Sequence, residues 1–264
     1  MRLFEILEEF KKWNELKFAL LVSVLSLVLH STFLTHLLGM MTIVQMHEMG
    51  HAIVANLGGI PALPIGVMGF TMWFSYNRIY IFALILILVQ VYFLCRFYQN
   101  EKLFLFFVGL FILFINLKMT FFLPVIKLHQ YISAGGLIGE ILFPTIILSL
   151  FFLDIEIIPK WSFWKYVLAG YVLLGYTATL KMWYRIAIFK QSLPFGSALS
   201  SDGASDTNGD LNRLVSAGWT EHSIRQFYFN SVKMSLTIII ISIVYGFWLK
   251  LNDKDSEFEN SESL

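Results

Sequence analysis

FLTHLLGMMTIVQMHEMGHAIVANL, residues 33–57, is a mostly apolar run with two histidines and a glutamate in its second half. A helix needs about 20 apolar residues to cross the hydrocarbon of a bilayer, so this run is long enough to span one. Within it, His47-Glu48-Met49-Gly50-His51 has the pattern H-E-x-x-H. On a helix, His47 and His51 stand one turn apart on one face, and both imidazoles can reach one metal ion. Glu48 lies beside them, placed to take a proton from a water held at such an ion. Facing lipid, these groups would be costly, so they should face the bundle interior or a water-filled cavity. The plainer reading is a buried polar network that ties helices together. Helix packing, however, requires neither this spacing nor an acid next to the first histidine.

The rest of the chain agrees with a membrane setting. Of 264 residues, 57% are hydrophobic and only 14% charged, with a mean hydropathy of +0.70. A soluble chain would carry about 25% charged residues. The net charge of +1 and the lack of any basic block give no reason to expect a nucleic-acid partner. Cys95 is the single cysteine, which excludes an internal disulfide and a cysteine-based zinc site.

The expected fold is an all-α polytopic membrane protein of about six to seven transmembrane helices. Apolar runs fall at roughly 18–32, 34–57, 79–96, 103–121, 131–153, 164–182 and 231–249. Residues 1–17 mix acids and bases at helical spacing, with no small-residue cleavage site after the first apolar run. They read as an amphipathic surface helix rather than a signal peptide. A transmembrane core would then occupy 18–193, a polar loop with short helices 194–230, the last span 231–249 and a disordered acidic tail 250–264. In the polar loop, a short helix pair broken at Gly218-Trp219-Thr220 is expected, with Thr220 capping the second piece. With the N-terminus inside, 13 of the lysines and arginines fall on the cytoplasmic side and 6 on the other, which favours a cytoplasmic N-terminus.

Between the second and third runs lies Gly58-Gly59-Ile60-Pro61-Ala62-Leu63-Pro64-Ile65-Gly66-Val67-Met68-Gly69-Phe70. Four glycines and two prolines rule out a regular helix. Non-helical backbone at membrane depth persists only where protein or a cavity satisfies its polar groups. A re-entrant strand or loop beside the motif is the natural reading, with an ordinary apolar surface loop as the alternative. Gly66 and Gly69 would let an extended substrate segment lie against it by strand addition.

A catalytic zinc takes three protein ligands, so two histidines are one short. His30 and His36 sit at the turn before the motif run and read as interfacial; His222 reads as solvated, and His129 as a supporting group. Glu140 stands alone among apolar and small residues, and Gly135, Gly136 and Gly139 would bring its helix close to the motif helix. Asp210 is the alternative, in a loop where an acid costs little; Asp202 and Asp206 are weaker.

The chain resembles the site-2-protease type of intramembrane zinc metalloprotease. His47-Glu48-Met49-Gly50-His51-Ala52 matches that family's H-E-x-G-H on an early transmembrane helix. Residues 58–70 resemble its partly extended Gly/Pro segment, and Ser133 to Leu137 its small-residue motif on a later helix. The resemblance implies Zn2+ as cofactor, a transmembrane protein as substrate and the lipid bilayer as setting. It also implies an Asp as third ligand, downstream of the small-residue motif, which favours Asp210 or Asp202; the family's N-x-x-P-x-x-x-x-D-G pattern has no clean copy here. The cost of an acid within the membrane favours Glu140, which is the preferred ligand at this point.

The expected activity is therefore zinc-dependent endopeptidase cleavage within or near the bilayer. Glu48 would be the catalytic base and His47, His51 and Glu140 (or Asp210) the metal ligands. The rival is a non-catalytic membrane scaffold or adaptor with a degenerate site. A histidine-motif membrane oxidase would need more histidine ligands than six scattered residues supply.

Overall fold

The computed structural model describes residues 13–29, 33–65, 70–155, 161–195 and 209–262. They form eight α-helices and one β-hairpin. In chain order these are α1 (Asn14–Leu29), α2 (Phe33–Leu57), β1 (Ala62–Ile65), β2 (Phe70–Trp73), α3 (Tyr80–Gln99) and α4 (Leu103–Leu117, continued by a π-turn at Lys118–Phe122). They are followed by α5 (Val125–Leu153), α6 (Trp161–Ile188), α7 (Asp210–Ser216) and α8 (Glu221–Glu262).

Among the described residues four helical segments are long and apolar enough to cross a membrane: Tyr80–Gln99, Leu105–Phe122, Val125–Leu153 and Glu221–Leu251. The protein is thus a helical integral membrane protein, and the expected six to seven spans are not all of this kind. α1 has only 16 residues. α2 and α6 are long enough but polar, α2 through Gln45, His47, Glu48, His51 and Asn56 and α6 through Lys165, Lys181 and Arg185.

The chain divides into two compact units. One comprises Val44–Gly139 and Ser192–Ile224. In it, α2 ends where Gly59 takes a φ of +78° and Ile60 N–H donates to Ala55 O at 2.9 Å. This C-cap suits glycine, which has no Cβ to clash in the left-handed region. Ile60, fully buried, then packs with Ala52, Ala55, Ala62, Leu128 and Ile132. Within the Gly/Pro segment expected to be extended, β1 is extended and pairs antiparallel with β2, Ala62 opposite Trp73 and Pro64 opposite Thr71. Asn56 fastens it to α2: its Nδ2 donates to Ala62 O (3.0 Å) and its Oδ1 accepts from Ala62 N–H (2.9 Å). Arg78 donates to the carbonyls of Gly58, Met119 and Leu123 at 2.8–2.9 Å, so one guanidinium satisfies backbone acceptors at the ends of two helices.

The other unit comprises Met1–Ile43, Glu140–Gln191 and Arg225–Leu264. Hydroxyls join its helices: Tyr176 Oη contacts Ser235 Oγ (2.5 Å), Ser235 contacts Thr145 Oγ1 (2.5 Å), and Thr145 donates to Ile141 O (2.6 Å). Ser26 pairs with Thr177 at 2.6 Å. Such pairs hold helices together where lipid removes the hydrophobic drive for association.

Two expectations about the C-terminal third change. Thr220 does cap a helix, its Oγ1 accepting from Ser223 N–H at 3.1 Å. The first piece of the expected pair is α7, whereas the second is the start of α8 itself and runs on into the last span without a break. The segment expected as a disordered tail is helical in backbone to Glu262, and it contains no glycine or proline to break α8.

Candidate metal centre

Residues of the first-described unit build the site. α2 presents His47 and His51 on one face, their ring centroids 4.6 Å apart and their planes nearly perpendicular. What lets the rings sit there is glycine. α2 and α5 cross at Gly50, Gly135 and Gly139, where a Cβ on any of them would strike backbone or side-chain atoms of the facing helix. A Cβ on Gly136 would lie 2.5 Å from His47 Nε2 and 2.6 Å from His51 Nε2. The small-residue face of α5 expected to approach the motif helix does so, and Gly136 leaves the space that the two rings occupy.

His51 Nδ1 is 2.6 Å from Ile132 O. A carbonyl can only accept, so Nδ1 carries a proton and Nε2 is the ring atom turned outward. That Nε2 is 3.0 Å from Asp210 Oδ2, and the same carboxylate oxygen is 2.8 Å from His47 Nε2. An imidazole lone pair and a carboxylate attract only with positive charge at the contact, either a second ring proton or a shared cation. Two nitrogens and one oxygen converging in this way suit a divalent ion that prefers N and O ligands. A tetrahedral ion with bonds of about 2.0–2.1 Å sets its ligands about 3.3 Å apart, within a few tenths of an ångström of these separations. Burial would raise the Asp210 carboxyl, but hydrogen bonds and charge from His47 and His51 outweigh it and hold the group well below the usual carboxylate range.

Glu48 completes the group. His47, Glu48 and His51 each offer a ligand atom within 4.8 Å of the others and can hold a metal ion. Glu48 Oε2 accepts from Thr71 Oγ1 on β2 at 2.6 Å. Thus one acid, Asp210, touches both ring nitrogens, while the other is fastened to the hairpin.

The expected residues are divided by this geometry. His47, Glu48, His51 and Asp210 come together. Glu140, the acid preferred from sequence, belongs to the other unit, where its Oε2 accepts from Thr179 Oγ1 on α6 at 3.3 Å. Glu140 is buried, and this hydroxyl on a neighbouring helix is one of its partners. Gly66 and Gly69, and also Asp202 and Asp206, lie outside the described residues. His129 Nε2 is 3.2 Å from Tyr76 O, and His222 is exposed. Thr71 and the Ile132 carbonyl were not singled out from sequence. A lone threonine in the apolar, hairpin-forming stretch 70–74 was the only available signal for the first, and a backbone acceptor leaves none.

Compared with known proteins, the chain matches no family model, no curated protein and no solved structure. The class rests on the fold and site alone: a helical integral membrane protein with a His-Glu-His group able to hold a metal ion.

Proposed function

We propose that the protein is an intramembrane zinc-dependent endopeptidase that hydrolyses a peptide bond of a membrane-spanning or membrane-adjacent protein. The observation that carries this reading is the meeting of Asp210 Oδ2 with both imidazole Nε2 atoms beside Glu48. His47, His51 and Asp210 would hold the ion, leaving Glu48 to work as the base. When bound, zinc polarises the scissile carbonyl and lowers the pKa of water to about 7. Glu48 accepts the proton of the attacking water and returns it to the leaving amine, so that water adds across the C–N bond and yields a carboxylate and an amine. Ile132 O keeps His51 in one tautomer, and Gly136 leaves room for both rings. A helical substrate buries its carbonyls in its own hydrogen bonds and must unwind locally before cleavage.

The test combines metal analysis with turnover. Wild-type and variant proteins are reconstituted with a panel of single-span peptides containing Gly/Pro-weakened segments, and the products are read by mass spectrometry. Glu48→Gln is expected to keep zinc and lose at least about a hundredfold in turnover. Asp210→Asn and His47→Ala are expected to lose zinc. Zinc-free wild-type protein that cleaves no peptide would instead support the non-catalytic scaffold, and undiminished cleavage by Glu48→Gln would overturn Glu48 as the base.

A further inference from the structure

We infer that Thr71 is the positioning residue for the Glu48 base, so that the hairpin sets the orientation of the carboxylate beside the histidine pair. The inference rests on the proposed hydrolytic role of Glu48 and adds to it a residue on a different element. Thr71 lies on β2 opposite Pro64 and is 7% exposed. Its Oγ1 is 2.6 Å from Glu48 Oε2 and 3.0 Å from the Glu48 carbonyl oxygen. A hydroxyl has one proton, and the charged, nearer oxygen is the stronger acceptor, so the proton goes to the carboxylate.

That bond removes the main freedom of a glutamate, the rotation of its terminal carboxylate. One oxygen is held by β2, and the other is left for the proton of the attacking water. The strand is itself held: Asn56 clamps Ala62 of β1 to α2 through two hydrogen bonds, and Phe74 N–H donates to Pro61 O beyond the ladder. Thr71 therefore approaches Glu48 from a support fixed to the same helix eight residues further on. Misplacing a catalytic group by about 1 Å can cost about a hundredfold in rate, so such a support affects the chemical step more than binding.

Thr71→Val keeps the side-chain shape and deletes the donor, and Thr71→Ser restores the donor. In reconstituted protein, Thr71→Val is expected to lower kcat about ten- to a hundredfold, with KM and zinc content near wild type, and Thr71→Ser to recover most of it. A second readout needs no substrate. The carboxylate stretch of Glu48, identified in isotope-labelled protein as the infrared band that vanishes in Glu48→Gln, should shift in Thr71→Val and return in Thr71→Ser. A band unmoved by Thr71→Val, a wild-type kcat in that variant, or a loss of zinc parallel to its loss of rate would each overturn the inference. If the wild-type protein cleaves no peptide, the proposed function fails, and the infrared comparison alone decides the role of Thr71.

Discussion

At Gly136 the missing Cβ does more for the site than any side chain on α5. A methyl group there would meet His47 Nε2 at 2.5 Å and His51 Nε2 at 2.6 Å, and the two rings could not both stay. Gly136→Ala is therefore expected to lower zinc occupancy about tenfold or more while the helices remain folded, read by metal analysis alongside circular dichroism. Gly139→Ala is a different kind of change, because its Cβ would press on Gly50 Cα, 2.9 Å away, and on Met46 O, and backbone gives way less easily than a ring. These contrasts also explain what the sequence could reveal. His47, Glu48 and His51 are legible because their relation is local: a helix repeat of 3.6 residues puts i and i+4 on one face whatever the tertiary fold. Asp210 is 163 residues from His47, and no spacing rule links them. In sequence it looks like a cheap loop acid, whereas Glu140 looks like an expensive buried one, and cost alone pointed to Glu140. What cost could not show is that Thr179 waits for Glu140 on α6.

Among the elements, the hairpin owes its place to polar bonds more than to its own ladder. Two four-residue strands are marginal alone. Asn56 holds the start of β1, Thr71 ties β2 to Glu48, and Arg78 anchors the chain just after it. That residues 58–65 do not continue the helix was legible from their glycines and prolines. Their pairing, Ala62 with Trp73 and Pro64 with Thr71, was not, because strand register depends on a partner that composition does not name. Arg78 gives the sharpest test at this scale. Its guanidinium serves carbonyls of Gly58, Met119 and Leu123 at once, and removing it leaves three acceptors at helix ends without that donor. Arg78→Met is expected to cost about 3 kcal/mol or more, seen as a lower thermal midpoint in detergent micelles. Arg78→Lys should recover only part of this, since a point-like ammonium cannot reproduce the planar fork.

Over the whole molecule the candidate metal centre belongs to one compact unit, while the other is held by a different device: an ion cluster joining four helices. Lys165 Nζ donates to Glu15 Oε1 (2.9 Å) and to Asp154 Oδ1 (2.6 Å), and Lys250 Nζ donates to Glu15 Oε2 (2.8 Å). These residues sit on α6, on α1, at the end of α5 and on α8. Glu15 and Lys165 are buried, and Asp154 and Lys250 are partly open to solvent. Breaking a buried pair by neutralising one partner leaves the other charge uncompensated, so this cluster should tie stability to pH. Burial pushes the Glu15 carboxyl up, but Lys250 and Lys165 more than offset it and bring it from 4.5 down to about 2. A folded-state pKa below the unfolded one favours folding when the carboxyl is ionised. The contribution is therefore complete above about pH 4.5 and is lost as pH falls through the folded value near 2. It amounts to at most about 3 kcal/mol, reduced by solvent screening at the exposed members. The thermal midpoint should fall across this window in the wild-type protein, and Glu15→Gln should begin lower and lose that part of the slope. An unchanged slope in Glu15→Gln would mean that carboxylates elsewhere govern the acid sensitivity, and that the four helix ends are held by their apolar contacts, Trp13 against Phe152 and Phe247 among them.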